Sequence, residues 1–241
     1  MDNSSYKIKS GFITGLVQTI LLYPLDTIHL RYFLNYQETQ ILYSGLAFTL
    51  FGNLIKKSLL FPVQDISSGY AKNKDISYPS MFSAFIGGTL GLCLTPINSI
   101  RVPLQLNPIN TVGAVCRGIY QYHGILGFYR GGFGIFCRNF IWTFVYFPSF
   151  NYLLNLYHSV LLSSITASFL ATTLSYPLNS SRLYRQDHLN NYSFRYGIRR
   201  AFDPTRSNLT SFLVGNLRIS LSACFTHCVY LMVSSSSKLK H

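Results

Sequence analysis

Between Asn139 and Ser181 the chain carries no Asp, Glu, Lys or Arg, and this stretch restricts the fold more than any motif does. A helix that crosses the hydrocarbon of a bilayer needs roughly 20 predominantly apolar residues, so the stretch is long enough for two crossings. Ile76 to Ile100 is free of the same four residues and holds another. Charged residues make up 11% of the chain against 49% hydrophobic, which is too few for an ordinary soluble surface. Hydrophobic patterning gives six apolar segments, at about 10–33, 46–70, 78–104, 133–157, 160–185 and 211–234.

A repeat closes every odd segment. Tyr23-Pro24-Leu25-Asp26-Thr27-Ile28-His29, Thr95-Pro96-Ile97-Asn98-Ser99-Ile100-Arg101 and Tyr176-Pro177-Leu178-Asn179-Ser180-Ser181-Arg182 share Pro-x-(Asp/Asn)-x-x-(His/Arg). Upstream of each proline, Gly15, Gly87 and Ser168 stand nine residues back, and Gly11, Ser83 and Ser164 thirteen back. This is the small-xxx-small pattern that lets helices approach closely where lipid supplies no hydrophobic driving force. The repeat unit is therefore a pair of helices. A proline inside a membrane helix removes a hydrogen bond and bends it, so three helices bent at Pro24, Pro96 and Pro177 are expected to converge at one membrane face.

The net charge of +13 does not come from a dense basic tail. Arg185, Arg195, Arg199, Arg200 and Arg206 lie in or beside the loop from Asn190 to Arg206, which with Thr111 to His123 separates apolar segments and is expected to hold a short surface helix. Such a distribution reads as positive-inside bias and an anion-attracting cavity rather than nucleic-acid binding. The N-terminal residues show neither a transit sequence nor a signal peptide. Cys93, Cys116, Cys137, Cys224 and Cys228 form no CxxC pair, and Cys224, His227 and Cys228 lack a fourth ligand, so no metal and no cofactor is expected. The chain has no phosphate loop, no HExxH and no nucleophile triad, so it is not read as an enzyme.

Together these features resemble the mitochondrial carrier family, built from three homologous two-helix repeats with Pro-x-(Asp/Glu)-x-x-(Lys/Arg) on the odd helices. The resemblance implies an all-α membrane protein with six transmembrane helices around a central cavity and short matrix-side helices. Repeats are expected at 1–75, 76–158 and 159–241. It also implies a monomer that works by alternating access in the inner mitochondrial membrane, with both termini toward the intermembrane space and an anionic lipid such as cardiolipin as a partner. The shortened loop between Arg31 and Gly52 is similar to the reduced carriers of parasites and of large DNA viruses.

The resemblance assigns site roles residue by residue. In the family the motif's charged residues form a matrix gate, which here pairs Asp26 with Arg101, Asn98 with Arg182 and Asn179 with His29. Only the first is an ion pair, because an amide supplies no Coulomb term. Gln105 and Gln186 match the family's glutamine brace, whereas Phe33 stands at that position in the first repeat. Family contact positions fall on Leu59, on Arg138 with Asn139, and on Ser222.

Independently of the family, ionisable residues within membrane helices cost roughly 2.5–3.5 kcal/mol each on an insertion scale. Lys56, Lys57, Arg138 and Arg218 are therefore site candidates, and they make a cavity for a small anionic solute. Several cations together suit a phosphate chain, and Phe140, Trp142, Phe144 and Tyr146 are aromatic neighbours for a base. The expectation is counter-exchange of nucleotides or deoxynucleotides. Arg138 followed by an amide points instead to a carboxylate or oxoacid, and the weakened gates to a leaky pore or a structural membrane protein.

Overall fold

The computed structural model describes the backbone of residues 3–34, 43, 45–73, 79–107, 110–186, 192–203 and 206–238. Among these residues every regular element is a helix: α1 Asn3–Leu34, α2 Leu46–Asn73, α3 Pro79–Cys93, α4 Thr95–Leu106, α5 Val112–His123, a 3-10 turn Ile125–Tyr129, α6 Gly132–Tyr157, α7 Val160–Gln186, α8 Phe194–Ala201 and α9 Arg206–Lys238. The six apolar segments of the sequence correspond to α1, α2, α3 with α4, α6, α7 and α9. The two basic loops supply α5 and α8, each opened by a hydroxyl cap. Thr111 accepts from the amide of Ala114 at 3.3 Å, and Ser193 from that of Tyr196 at 3.2 Å. Most of the loop between α1 and α2 lies outside the described residues.

Among the described residues, α7 and the Leu209–Thr226 part of α9 are long and apolar enough to cross a membrane, and α3 with α4 makes a third such unit if the bent pair is one span. The sequence segments suggest six. The other three long helices each carry polar side chains on one face: Gln18 and Asp26 on α1, Asn53, Lys56 and Lys57 on α2, and Arg138 and Asn139 on α6. All of these line internal space.

The long helices pack in chain order, α1 on α2, α2 on α3, α3 on α6, α6 on α7 and α7 on α9, and α9 returns to α1 to close a ring. Small residues stand where the pairs meet. A Cβ on Gly15 would lie 3.3 Å from Lys57 Cβ of α2, one on Gly87 would lie 3.5 Å from Thr143 Oγ1 of α6, and Ser168 bonds the Ser220 hydroxyl of α9 at 3.1 Å. These are the three equivalent positions of the repeat, and each touches the helix that follows its own in the ring.

Three bends were expected from the three prolines, and only one break occurs at them. Pro24 and Pro177 lie inside the continuous helices α1 and α7. Pro96 sits in the first turn of α4, just past Leu94, where α3 and α4 meet at 58°. A proline there removes an amide that a helix start leaves unbonded in any case. The chain beyond the prolines does converge: Leu30 and Phe33 of α1, Val102 and Leu106 of α4, and Tyr176, Leu183 and Tyr184 of α7 form one buried cluster. Phe33 is its centre, 4.9 Å from the Tyr184 ring and edge-on to Tyr176.

Helix α7 buries an unusually polar face of Ser163, Ser164, Ser168, Thr172 and Ser175. Its hydroxyls are satisfied mostly by its own backbone, as in Ser163 to Ser159 O and Ser164 to Val160 O, both at 2.7 Å. Outside the ring, α8 is clamped to α7 by Ser180 donating to Gly197 O at 2.7 Å and Ser181 to Phe194 O at 3.0 Å.

Candidate functional site

The ring encloses a cavity of about 830 Å³ lined by residues of α1, α2, α3, α4, α6, α7 and α9. Helical spacing decides which side chains reach it. On α2, Asn53, Lys56 and Lys57 fall on one face and line the cavity, whereas Leu59, about 240° around from Asn53, is 43% exposed on the outer side. Leu59 is therefore not a contact residue in this arrangement. The count of seven from Gly52 overshoots the inward stripe by about a quarter turn.

On α6, Arg138, Asn139, Trp142, Thr143, Tyr146, Phe147 and Phe150 run along the inward stripe. Trp142, Tyr146 and Phe150 stack in sequence, with centroids 4.5 and 5.9 Å apart. Phe140 and Phe144 do not line the cavity. They stack with Phe136 on another face of the helix, where Phe144 is 44% exposed. Of the four aromatics considered from the sequence, two face inward. Glycines make room for this helix. A Cβ on Gly91 would fall on the Asn139 amide, and one on Gly134 would lie 3.2 Å from Arg182 Cβ.

The described lining residues include the cations Lys56, Lys57, Arg101, Arg138, Arg182 and Arg218, and one carboxylate, Asp26. Asp26 is engaged twice. Arg101 pairs with its Oδ2, and Arg218 Nε lies 2.9 Å from its Oδ1. Gln105 bridges the first pair, accepting from Arg101 Nε at 3.1 Å and donating to Asp26 Oδ2 at 3.5 Å. The clasp thus joins α1, α4 and α9. The remaining cations are left to act on whatever enters, and a concave site lined by one sign of charge focuses that field.

The other two assigned gate pairs are not made. Asn98 Nδ2 donates to Leu94 O of its own chain segment at 3.1 Å, at the bend between α3 and α4. An amide has no Coulomb attraction to draw it across to Arg182. Asn179 and His29 both line the cavity without a hydrogen bond between them. The His29 ring stacks on Phe33 at 6.1 Å and packs against Gly215, where a Cβ would lie 2.7 Å from Nε2. Arg182 Nε and both amide atoms of Gln186 are buried with no partner among the described residues, so Gln186 braces no pair here while Gln105 does.

Ser222 lines the cavity and is held by Gln18, donating to its Oε1 at 3.1 Å, while Gln18 Nε2 donates to Thr226 Oγ1 at 2.6 Å. Gln18 and Asn53, which donates to Thr19 Oγ1 at 3.0 Å, are polar residues the sequence reading passed over. Gln18, Leu22, Asp26 and His29 follow helical spacing along one face of α1, and that periodicity is the signal that finds Gln18. Cys93, Cys116, Cys137 and Cys224 form no disulfide among the described residues. The side chains of His227 and Cys228 lie outside the described residues.

Residues 72–161 match the mitochondrial carrier protein family. The mitochondrial S-adenosylmethionine carrier protein of Xenopus laevis is 28% identical, over 61% of this chain and 59% of its own. Over these stretches the chain is similar to mitochondrial carriers. The rat electrogenic aspartate/glutamate antiporter SLC25A13 is 24% identical over 62% of this chain and 27% of its own, and human SLC25A12, named for the same activity, is 23% identical over 60% and 26%. The chain spans less than two thirds of the length of these carrier relatives. The family match spans α3 through α6, the elements that hold Arg101, Arg138 and Asn139.

Proposed function

We propose that this chain carries a small carboxylate-bearing anion across the inner mitochondrial membrane by counter-exchange, with alternating access to the central cavity. The observation that carries the reading is the charge of that cavity, six cations to one carboxylate among the described lining residues, with the carboxylate already held by two of the six. A cavity so charged is costly in a low-dielectric surround unless an anion occupies it. Arg138 lines the cavity with one guanidinium nitrogen fixed by Asn139 Oδ1 at 2.9 Å, and a guanidinium is suited to pairing with a carboxylate.

The nucleotide expectation gives way to this one. The relatives above are named for aspartate and glutamate and for S-adenosylmethionine, and two of the four aromatics weighed as a base platform point away from the cavity. The rest of the reading belongs to the same proposal: three two-helix repeats at 1–75, 76–158 and 159–241, six crossings, both termini toward the intermembrane space, a working monomer with anionic lipid around it, and no enzymatic step. The clasp of Asp26, Arg101 and Gln105 is then the closed gate on the matrix side, with Arg218 as an added arm.

The test is uptake into liposomes of the purified chain, loaded or not with unlabelled solute, across a panel of radiolabelled dicarboxylates, amino acids, phosphate and nucleotides. Saturable carboxylate uptake that needs internal carboxylate is expected, and Arg138→Ala is expected to lower it at least 100-fold. Uptake indifferent to internal solute would make the molecule a pore. Preference for a nucleotide would restore that reading.

A further inference from the structure

One member of the clasp comes from a helix that carries no copy of the proline motif. Arg218 stands on α9 and reaches Asp26 of α1 with Nε alone, 2.9 Å from Oδ1. Its Nη1 and Nη2 have no partner among the described residues, and they are not enclosed: 27% of the side chain is exposed, and it lines the central cavity. Arg101 is held differently. Gln105 ties it to Asp26 by bonding both, and its side chain is 16% exposed. The clasp therefore has one fixed arm and one detachable arm.

A guanidinium holds a carboxylate most firmly through two parallel N–H bonds. Asp26 takes one from Arg218, so an anion in the cavity that meets the Nη edge has the better geometry. Losing Arg218 does not strand Asp26. Its Oδ2 keeps Arg101 and Gln105, and beside it a separate void of about 40 Å³, lined by Gln18, Asn53, Ser222, Arg218 and Asp26 itself, is large and polar enough for a water. A buried charge whose partner leaves without such cover is strongly penalised.

We propose that Arg218 is a positioning residue that couples the solute to the clasp. In the empty molecule it fastens α9 to α1 through Asp26. An anion entering the cavity draws it off and leaves the Asp26–Arg101 pair alone to yield. Exchange is then obligatory, because an empty molecule keeps both arms engaged. This rests on the exchange reading above and gives α9 a part that the motif on the odd helices does not assign.

The experiment uses the 241-residue chain in liposomes loaded with labelled succinate or labelled glutamate, with efflux measured with and without the same unlabelled acid outside. In the parent, outer acid is expected to speed efflux about tenfold or more. Arg218→Gln, which keeps a hydrogen-bonding side chain and loses the charge, is expected to raise efflux into acid-free buffer about tenfold, bringing the ratio of the two rates toward one. Arg218→Lys restores the charge without the fork, and is expected to keep efflux into acid-free buffer near the parental rate while slowing exchange. Phe144→Leu, on the outer face of α6, keeps the ratio.

A parental ratio in Arg218→Gln, with both rates measurable, overturns the proposal and leaves the exchange reading standing. A fall of both rates together in Arg218→Gln and Arg218→Lys makes Arg218 a strut of the fold and also overturns it. A ratio of one in the parent chain, or no movement of either acid, overturns both readings.

Discussion

Asp26 serves two arginines at once, and its two oxygens divide the work. Oδ2 faces Arg101 and Gln105, and Oδ1 faces Arg218. Side-chain exposures of 12% for Asp26, 16% for Arg101 and 27% for Arg218 leave little solvent to screen the group. Removing one partner from a buried ion pair costs about 3–5 kcal/mol, because the other charge stays buried alone. Asp26→Asn leaves two such charges, and a fall of that size in stability is expected from thermal or denaturant unfolding of the purified protein. A variant as stable as its parent would mean that water or lipid headgroups already reach the clasp. Half of this arrangement was legible in the sequence. Asp26 and Arg101 are the acidic and basic positions of successive copies of the motif, and the family resemblance implied their pairing. Arg218 stands in no repeat with Asp26, and local sequence does not say at what height α9 meets α1. The amides fared differently: Asn98 was matched to Arg182 by position, but without charge it takes the nearest carbonyl, at Leu94.

At the scale of elements, segment boundaries were readable from apolarity, and helix contacts from the small residues, because both depend on short stretches of chain. The bends were not. The same proline is placed inside a helix in α1 and α7 and at a helix start in α4, and what differs lies in the packing around it rather than in the motif. Contact positions counted from a glycine failed on α2 for a related reason, since an error of one residue turns a side chain by about 100°. Helix α8 offers a sharp test of close approach. A Cβ on Gly197 would lie 2.4 Å from Ser181 Cα, a backbone atom that cannot turn aside. Gly197→Ala should therefore lift α8 and strain the bonds from Ser180 and Ser181, lowering stability by about 1–3 kcal/mol. Trypsin should then cut sooner at Arg195 and Arg199, and cleavage at the parental rate would show that the clamp to α7 survives.

For the whole molecule, the excess of cations around the cavity makes occupancy a term in stability. A ligand that binds only the folded ring at 100 times its dissociation constant adds about 2.7 kcal/mol. A carboxylate solute is expected to raise the melting temperature by several degrees, and its neutral amide analogue to leave it unchanged; equal shifts from both would detach stability from the cavity charge. The ring has one further consequence, for how the chain is made. Gln18 finds Thr226 and Ser222, the latter 204 positions along the chain, and Asp26 shares its carboxylate with Arg218. During synthesis α1 precedes α9, and although Asp26 meets Arg101 of α4 sooner, Gln18 has neither Ser222 nor Thr226 until α9 arrives. Gln18 must therefore be sheltered while the helices between are made, and the contact of α1 with α9 that closes the ring forms late.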